Sequence, residues 1–441
     1  MLAETRLALL YLNLKHMRAL DWQRKIYLDG FAGKIPAIPS NAVQLERMAS
    51  RKMTPEARAY IVGGAGLEQT MRTNRQGFAR WQLVPRMLRN VESPNLSIDF
   101  MGQTLPSPVL LAPIGVLEMA HPEADLAVAG AAAVVGIPYI FSNQASVPME
   151  TCSAVMGNTM RLFQLYWSRS RDLVSSFLNR AEACGCRAIV LTLDTTMLGW
   201  RTQDLALGHL PFLQGKGLAQ YTSDPVFQRL LDEFLQQPPA ARPPITTTTL
   251  RHLVRSVRNY PTGSFMTKLR SGRAMGAVSL FSQIYTNPTI TWEDLAWLRQ
   301  QTRLPILLKG ILHPDDARQA VDSGMDGLIV SNHGGRQVDG AISTLDALPG
   351  VVAAVNGQLP VLLDSGIRSG ADVVKALALG AKAVCLGRPY VYGLALGGQT
   401  GVEAVIQNML ADIELTLALS GHKSLSELSP DSLRYEQPIN R

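Results

Sequence analysis

Cysteine is scarce: Cys152, Cys184, Cys186 and Cys385 are all that 441 residues contain, and no two form a Cys-x-x-Cys pair. A large chain so poor in thiols excludes a disulfide-stapled scaffold and fits a reducing compartment. Charged residues are also few, 17% against 46% hydrophobic, which leaves material for a large core. The balance is nonetheless basic, +7, and favours anionic ligands. No Lys/Arg block, aromatic-glycine signature or zinc-finger spacing appears, so neither nucleic acid nor a metal is expected. Nor does the chain open on a long apolar run. Met1–Leu20 is broken by Glu4, Arg6, Lys15, His16 and Arg18 and lacks a signal-peptide cleavage pattern, which argues against a membrane span. The final Ile439-Asn440-Arg441 is not a peroxisomal address. A cytoplasmic location is the expectation.

What the chain does contain is an alternation of short apolar runs with helical segments. Residues 1–107 lack it and read as an N-terminal helical extension packing on the remainder of the chain. From Pro108 the runs Val109–Gly115, Pro138–Asn143, Met160–Tyr166 and Ala188–Asp194 read as buried strands, being short, continuous and apolar. The alternation then stalls over residues 197–290, which hold Pro238-Pro239, Pro243-Pro244, Thr246–Thr249 and scattered arginines. An insertion this long is usually a functional lid or a disordered segment, and a lid is the expectation. Its apolar, basic stretches leave membrane-surface contact as the weaker reading. Strands resume at Pro305–Gly310, Gly327–Val330, Pro360–Gly366 and Ala383–Arg388, and an apolar helix comes after them from about Gly401. Eight strand-helix units within 108–441 predict an α/β fold, a TIM (β/α)8 barrel, rather than an unusually wide doubly wound sheet.

In such a barrel the C-terminal strand ends surround one site. Here they offer Gly115, Ser142, Gln164, Tyr166, Thr192, Asp194, Lys309, Ser331, His333, Arg336, Asp364 and Arg388. The most informative stretch is Ser331-Asn332-His333-Gly334-Gly335-Arg336-Gln337, directly after a strand. A histidine base and a fixed cation three residues apart suit proton abstraction from a hydroxy acid, because arginine can grip the carboxylate bidentately. A lone His-Gly would instead be a satisfied histidine in a turn. Asp364-Ser365-Gly366-Ile367-Arg368 and Gly387-Arg388 end the seventh and eighth strands, where barrels commonly bind phosphate. Lys309 reads equally as a Schiff-base lysine, a phosphate ligand, a cation facing a flavin, or half of a salt bridge across the barrel mouth. Asp194 beside a histidine would stabilise the imidazolium and raise a pKa that starts near ~6.5. By itself it would be a helix cap.

Taken together, Gln164-Leu165-Tyr166, Leu191–Thr195, Leu308-Lys309-Gly310, Ser331–Gln337, Asp364–Arg368 and Gly387-Arg388-Pro389 resemble the FMN-dependent 2-hydroxy acid oxidase family, from about Tyr60 to the C-terminus. The resemblance implies FMN, His333 as base with Asp194 supporting it, and Arg336 on the substrate carboxylate. It further implies Tyr60, Tyr166 and Arg201 as substrate contacts. The implied cofactor set is Pro113, Ile114, Gly115, Ser142, Gln164, Thr192, Lys309, Ser331, Asp364, Ser365, Gly366, Ile367, Arg368, Gly387 and Arg388. Within the family, Ala112–Val116, Gly199-Trp200-Arg201 and Phe212-Leu213 through Asp224–Gln228 resemble the lactate 2-monooxygenase branch. That implies oxidation of an L-2-hydroxy acid, L-lactate first, by dioxygen, with the retained keto acid decarboxylated to acetate and carbon dioxide. Gly115 is expected to leave room beside the flavin edge. The opening residues and the longer, more basic insertion depart from the pattern.

Three alternatives stand beside this reading. One is an oxidase releasing keto acid and peroxide, and another a dehydrogenase passing electrons to a quinone. A cytochrome-linked version is disfavoured because the extension lacks a suitable histidine pair. The third is a flavin-binding barrel without turnover, against which the complete base, cation and tyrosine set argues. The resemblance also implies a homo-oligomer, tetramer or octamer. Membrane contact is not expected.

Overall fold

The computed structural model describes residues 18–237, 246–261 and 263–436. Eight parallel strands close into a barrel: β1 Val109–Leu111, β2 Tyr139–Phe141, β3 Arg161–Leu165, β4 Ile189–Thr192, β5 Ile306–Ile311, β6 Gly327–Val330, β7 Val361–Leu363 and β8 Ala383–Leu386. Each pairs with the next in sequence, and β8 returns to β1 with Val384 opposite Val109. This is the TIM barrel that the strand rhythm predicts. Side chains alternate along each strand. Leu110, Ile140, Leu162, Val190, Leu307, Ile329, Leu362 and Cys385, one from each strand, form the inner cluster. Their neighbours, such as Val109, Leu111, Phe163 and Leu308, join the larger core beneath the surrounding helices. Both faces are therefore apolar, which is why the strands read as unbroken runs.

The extension is less purely helical than expected. Ile98–Phe100 and Gln103–Leu105 form an antiparallel hairpin, and Ile98, Phe100 and Leu105 join the barrel's inner cluster. Its turn is Met101-Gly102, with φ +49 and +73. Two positive φ values usually announce themselves as Asn-Gly or Asp-Gly, so Met-Gly concealed the turn. Trp81–Leu83 pairs with Leu433–Tyr435, a long-range contact without any local signal.

The helix expected from Gly401 begins much earlier. It runs Arg388–Leu419, broken where Gly397 and Gly398 leave helical geometry, and that glycine pair masked its first half. The Ser369 cap is present, with Ser369 and Asp372 forming a capping box ahead of Gly370–Ala378.

The insertion carries a packed substructure. Pro225–Leu235, Thr247–Asn259 and Arg273–Ile284 are helices within it. Tyr221, Phe227 and Phe281 are fully buried, and Tyr221 packs edge-on against Phe177 at 5.1 Å between ring centroids. The proline pairs at 238–239 and 243–244 and the opening segment through residue 17 lie outside the described residues. No helix among the described residues is long and apolar enough to cross a membrane.

Candidate active site

The same alternation that fills the barrel builds the site above it. Two residues beyond the inner layer, the inward positions are Ala112, Ser142, Gln164, Thr192, Lys309, Ser331, Asp364 and Gly387. Most are polar, and Ser142, Gln164, Thr192, Lys309, Ser331 and Asp364 are all buried. An apolar plug thus floors a polar ring. Above the ring lies an open cleft walled by Tyr60, Tyr166, Arg201, His333 and Arg336.

The β6 end turns sharply. His333 has φ +56 and is followed by Gly334 and Gly335 at +65 and +73. A left-handed histidine costs of order 1–3 kcal/mol and persists only where surrounding bonds hold it. Here the Ser331 hydroxyl accepts from the His333 amide at 3.1 Å, and the ring Nδ1 lies 2.6 Å from Asp194 Oδ1. Thr195 donates to the same Asp194 oxygen at 3.0 Å. Burial pushes the Asp194 carboxyl up, but its contacts with His333 and Lys309 outweigh that and hold the group down at about 2.

His333 departs from expectation. Burial pushes its pKa below the ordinary histidine value, and Lys309 and Arg201 add to that, so Asp194 only partly restores it. The imidazole is held neutral at pH 7 with Asp194 ionised. The Asp194 effect alone was legible in sequence; the desolvation that overrides it was not. Lys309 is opposite in sense. Burial works against its charge, yet Asp364 at 3.1 Å and Asp194 at 3.9 Å hold its pKa above the ordinary lysine value. It also donates to Ser331 Oγ at 2.8 Å.

Opposite the histidine stand two cations and two tyrosines. Arg336 donates to the Gly63 carbonyl at 2.9 Å and lies 5.0 Å from the Tyr60 ring centroid; Arg201 lies 5.9 Å from the same ring. Burial, and then Arg201, push the Arg336 guanidinium down to about 9, still cationic at neutral pH. Two arginines this close call for an anion between them. Tyr60 and Tyr166 are buried, and burial raises both phenols, so each remains a hydroxyl donor.

Gly63-Gly64-Ala65-Gly66 is a strap joining extension to barrel. Ala65 N–H donates to the Gly335 carbonyl at 2.9 Å, and Gly66 N–H to that of Trp200 at 2.9 Å. A Cβ at Gly64 would come within 2.4 Å of Met71 Sδ, so close packing explains the glycine.

The cleft's inner end fits a flavin nucleotide by its unmet bonds. Gln164 Nε2 and Thr192 Oγ1 are buried without a partner among the described residues, although such groups are nearly always satisfied. Both line the cleft, where a heterocycle with donors and acceptors on its edge would pair with them. Lys309 would supply the positive charge that a reduced flavin ring needs. At the β7 end Ser365 and Gly366 have φ +74 and +94. Among the described residues the Arg368 guanidinium holds only the neighbouring Ile367 carbonyl, at 3.0 Å, which leaves it able to meet a phosphate. Arg388 is committed differently: it donates to the carbonyls of Ile61, Gly63 and Gly334 at 2.9–3.0 Å.

Of the residues singled out from sequence, Asp194, Ser142 and Ser331 stand behind the cleft wall. Tyr60, Pro113, Ile114, Gly115, Gln164, Tyr166, Thr192, Arg201, Lys309, His333, Arg336, Asp364, Ser365, Gly366, Ile367, Arg368, Gly387 and Arg388 line it. Gly115 lines the cleft, but a Cβ there would stand 3.0 Å from Gln144 Cβ and from the Gln144 carbonyl oxygen, so packing against Gln144 by itself accounts for the glycine. Sequence reasoning missed Thr195, Gln144 and Cys385, and missed Leu198, Phe212 and Tyr285 from the insertion. Cys385 could have been found by strand alternation. Phe212 entered only through the family resemblance, and Leu198 and Tyr285 carried no signal of a place in the cleft, being ordinary core types in a segment of undetermined path.

The chain matches the FMN-dependent dehydrogenase family over residues 49–435. An L-lactate oxidase of Lysinibacillus sphaericus is 41% identical, covering 87% of this chain and 90% of that protein. An FMN-dependent alpha-hydroxy acid dehydrogenase of Penicillium citrinum is 39% identical, covering 94% and 95%. Among solved structures, mandelate oxidase with (S)-4-hydroxymandelic acid superposes with a TM-score of 0.73 at 34% identity, covering 90% of this chain and 98% of that one. A cleft in which a histidine pairs with an ionised carboxylate and shares its walls with two arginines, in a barrel of this kind, fits a class of flavin-linked hydroxy acid enzymes. The chain belongs to the FMN-dependent dehydrogenase family, and its activity is the FMN-dependent oxidation of a 2-hydroxy acid.

Proposed function

We propose that the chain oxidises short L-2-hydroxy acids, L-lactate first among them, with dioxygen as acceptor. The observation that carries this is His333 Nδ1 at 2.6 Å from the ionised Asp194, in one cleft with Arg336 and Arg201. With Nδ1–H given to Asp194, the other ring nitrogen, Nε2, keeps a lone pair for the proton leaving the substrate. Asp194 then stabilises the imidazolium it faces. Arg336 and Arg201 hold the substrate carboxylate, and the Tyr60 and Tyr166 hydroxyls orient the rest. Gln164, Thr192, Lys309 and Ser331, with the Pro113–Gly115 backbone and Ser142, would hold the flavin ring. Asp364–Arg368 and Gly387-Arg388 would hold its phosphate end. When bound, FMN supplies the two-electron acceptor for the substrate α-carbon. In the same reading the extension before residue 108 buttresses the barrel domain 108–441, the insertion 197–290 serves as its lid, and the protein is a cytoplasmic homo-oligomer.

A second reading concerns the product. Leu198, Phe212 and Tyr285 bring the insertion to the cleft, and Phe212 is fixed against Phe281 with ring centroids 5.2 Å apart. A keto acid held under such a wall would meet peroxide at high effective concentration and lose carbon dioxide. Gly115 gives this no support, and the resemblance to an L-lactate oxidase favours early release. Anaerobic mixing with a panel of L-2-hydroxy acids, followed by air and product analysis, tests both. Stoichiometric pyruvate and peroxide from L-lactate are expected. Acetate and carbon dioxide would establish the second reading, and absence of flavin bleaching by any hydroxy acid would refute the first.

A further inference from the structure

From residue 234 to residue 292 the chain contains no aspartate or glutamate, and every charge in that span, from Arg242 to Arg273, is positive. This one segment matches the chain's whole excess, +7. Two of its helices, Thr247–Asn259 and Phe265–Ser271, pack beside each other. On the first, Arg251, Arg255 and Arg258 recur at i, i+4 and i+7, which sets them on one face. All three are exposed, while Ser256 and Val257 turn inward. The second helix has no buried residue, yet it carries Phe265, Met266 and Leu269, exposed at 40%, 51% and 38%. Leu250 at the start of the first helix is 56% exposed. The ion pairs of this region engage Arg229 and Arg273 and leave Arg251, Arg258 and Arg270 unpaired among the described residues.

We propose that this two-helix face docks on an anionic lipid surface, with Phe265, Met266 and Leu269 entering the headgroup boundary and the arginines meeting lipid phosphates. Exposed apolar side chains set among uncompensated cations are the composition such a surface rewards. A nucleic acid would use the charge but leave Phe265, Met266 and Leu269 in water. A twofold contact between copies would set the same cations against each other. The face also touches the cleft wall: Asn259 Nδ2 donates to the Gln214 carbonyl at 2.8 Å and the Ser256 hydroxyl to that of Leu213 at 3.4 Å, next to Phe212. Docking therefore presents the insertion side of the cleft to the membrane. The expectation of no membrane contact treated the insertion as a lid alone.

The test is cosedimentation of the full-length, FMN-loaded protein with phosphatidylcholine vesicles, alone or mixed with phosphatidylglycerol. Pelleting with the mixed vesicles only, reversed by salt, is expected. Neutralising Arg251, Arg258 and Arg270 to glutamine should weaken binding by about a hundredfold, in line with the gain per basic residue near an anionic surface. Phe265→Ser with Leu269→Ser should weaken it about tenfold at unchanged charge. Both variants should retain lactate turnover in vesicle-free buffer, which separates this proposal from the hydroxy acid reading. No pelleting with mixed vesicles would overturn it. So would binding insensitive to the Phe265/Leu269 pair but matched by DNA, or a changed oligomeric state in either variant.

Discussion

Replacing Asp194 with asparagine tests the reasoning about the base most sharply. The side chain keeps its size and can still accept from His333 Nδ1, where the bond is 2.6 Å in the native protein. What disappears is the negative charge facing the imidazolium. A hydrogen bond to a charged partner contributes roughly 1.5–3 kcal/mol, so substrate-driven bleaching of the flavin should slow about 10- to 150-fold. Substrate affinity should change little, because Arg336 is anchored on Gly63 and does not lean on Asp194. The pH dependence carries a sign. His333 already titrates below its ordinary value of 6.5 through burial, and Asp194 is the group that raises it. Its removal should shift the acid limb of kcat/KM to lower pH while the plateau falls. Anaerobic stopped-flow reduction over a range of L-lactate concentrations, repeated across pH, reads both. An unchanged rate, or an acid limb displaced upward, would refute the assigned pairing.

His333→Gln should bind FMN normally and lose reduction by roughly three orders of magnitude, within the range for a positioned base; near-normal reduction would place the base elsewhere. Arg336→Lys should raise KM far more than it lowers kcat, since an ammonium cannot reproduce the planar fork, and a kcat effect alone would contradict carboxylate binding. Asn74 and Asn332 exchange side-chain amide bonds at 2.7 and 2.9 Å within the buried seam between extension and β6. Asn74→Leu removes both bonds to Asn332 and takes the acceptor from the buried Thr344 N–H, and should cost about 1–3 kcal/mol in denaturant melts, whereas an unchanged midpoint would mean that water replaces the pair.

Much of this protein was legible in its sequence for a reason special to parallel barrels. Strands buried on both faces are short apolar runs, and their C-terminal ends converge, so Gln164, Thr192, Lys309, His333 and Asp364 could be assigned to one site from the order of residues. Caps such as Ser369 with Asp372 are equally local. Tertiary structure alone decided whatever depends on distant partners. Trp81–Leu83 finds its strand at Leu433–Tyr435, and Met101-Gly102 turns a hairpin beneath the barrel. Leu198, Phe212 and Tyr285 reach the cleft only because the insertion folds back upon it. The protonation of the base belongs with these. Residue types place a carboxylate beside His333, but desolvation grows with everything packed around the ring, and it outweighs that neighbour.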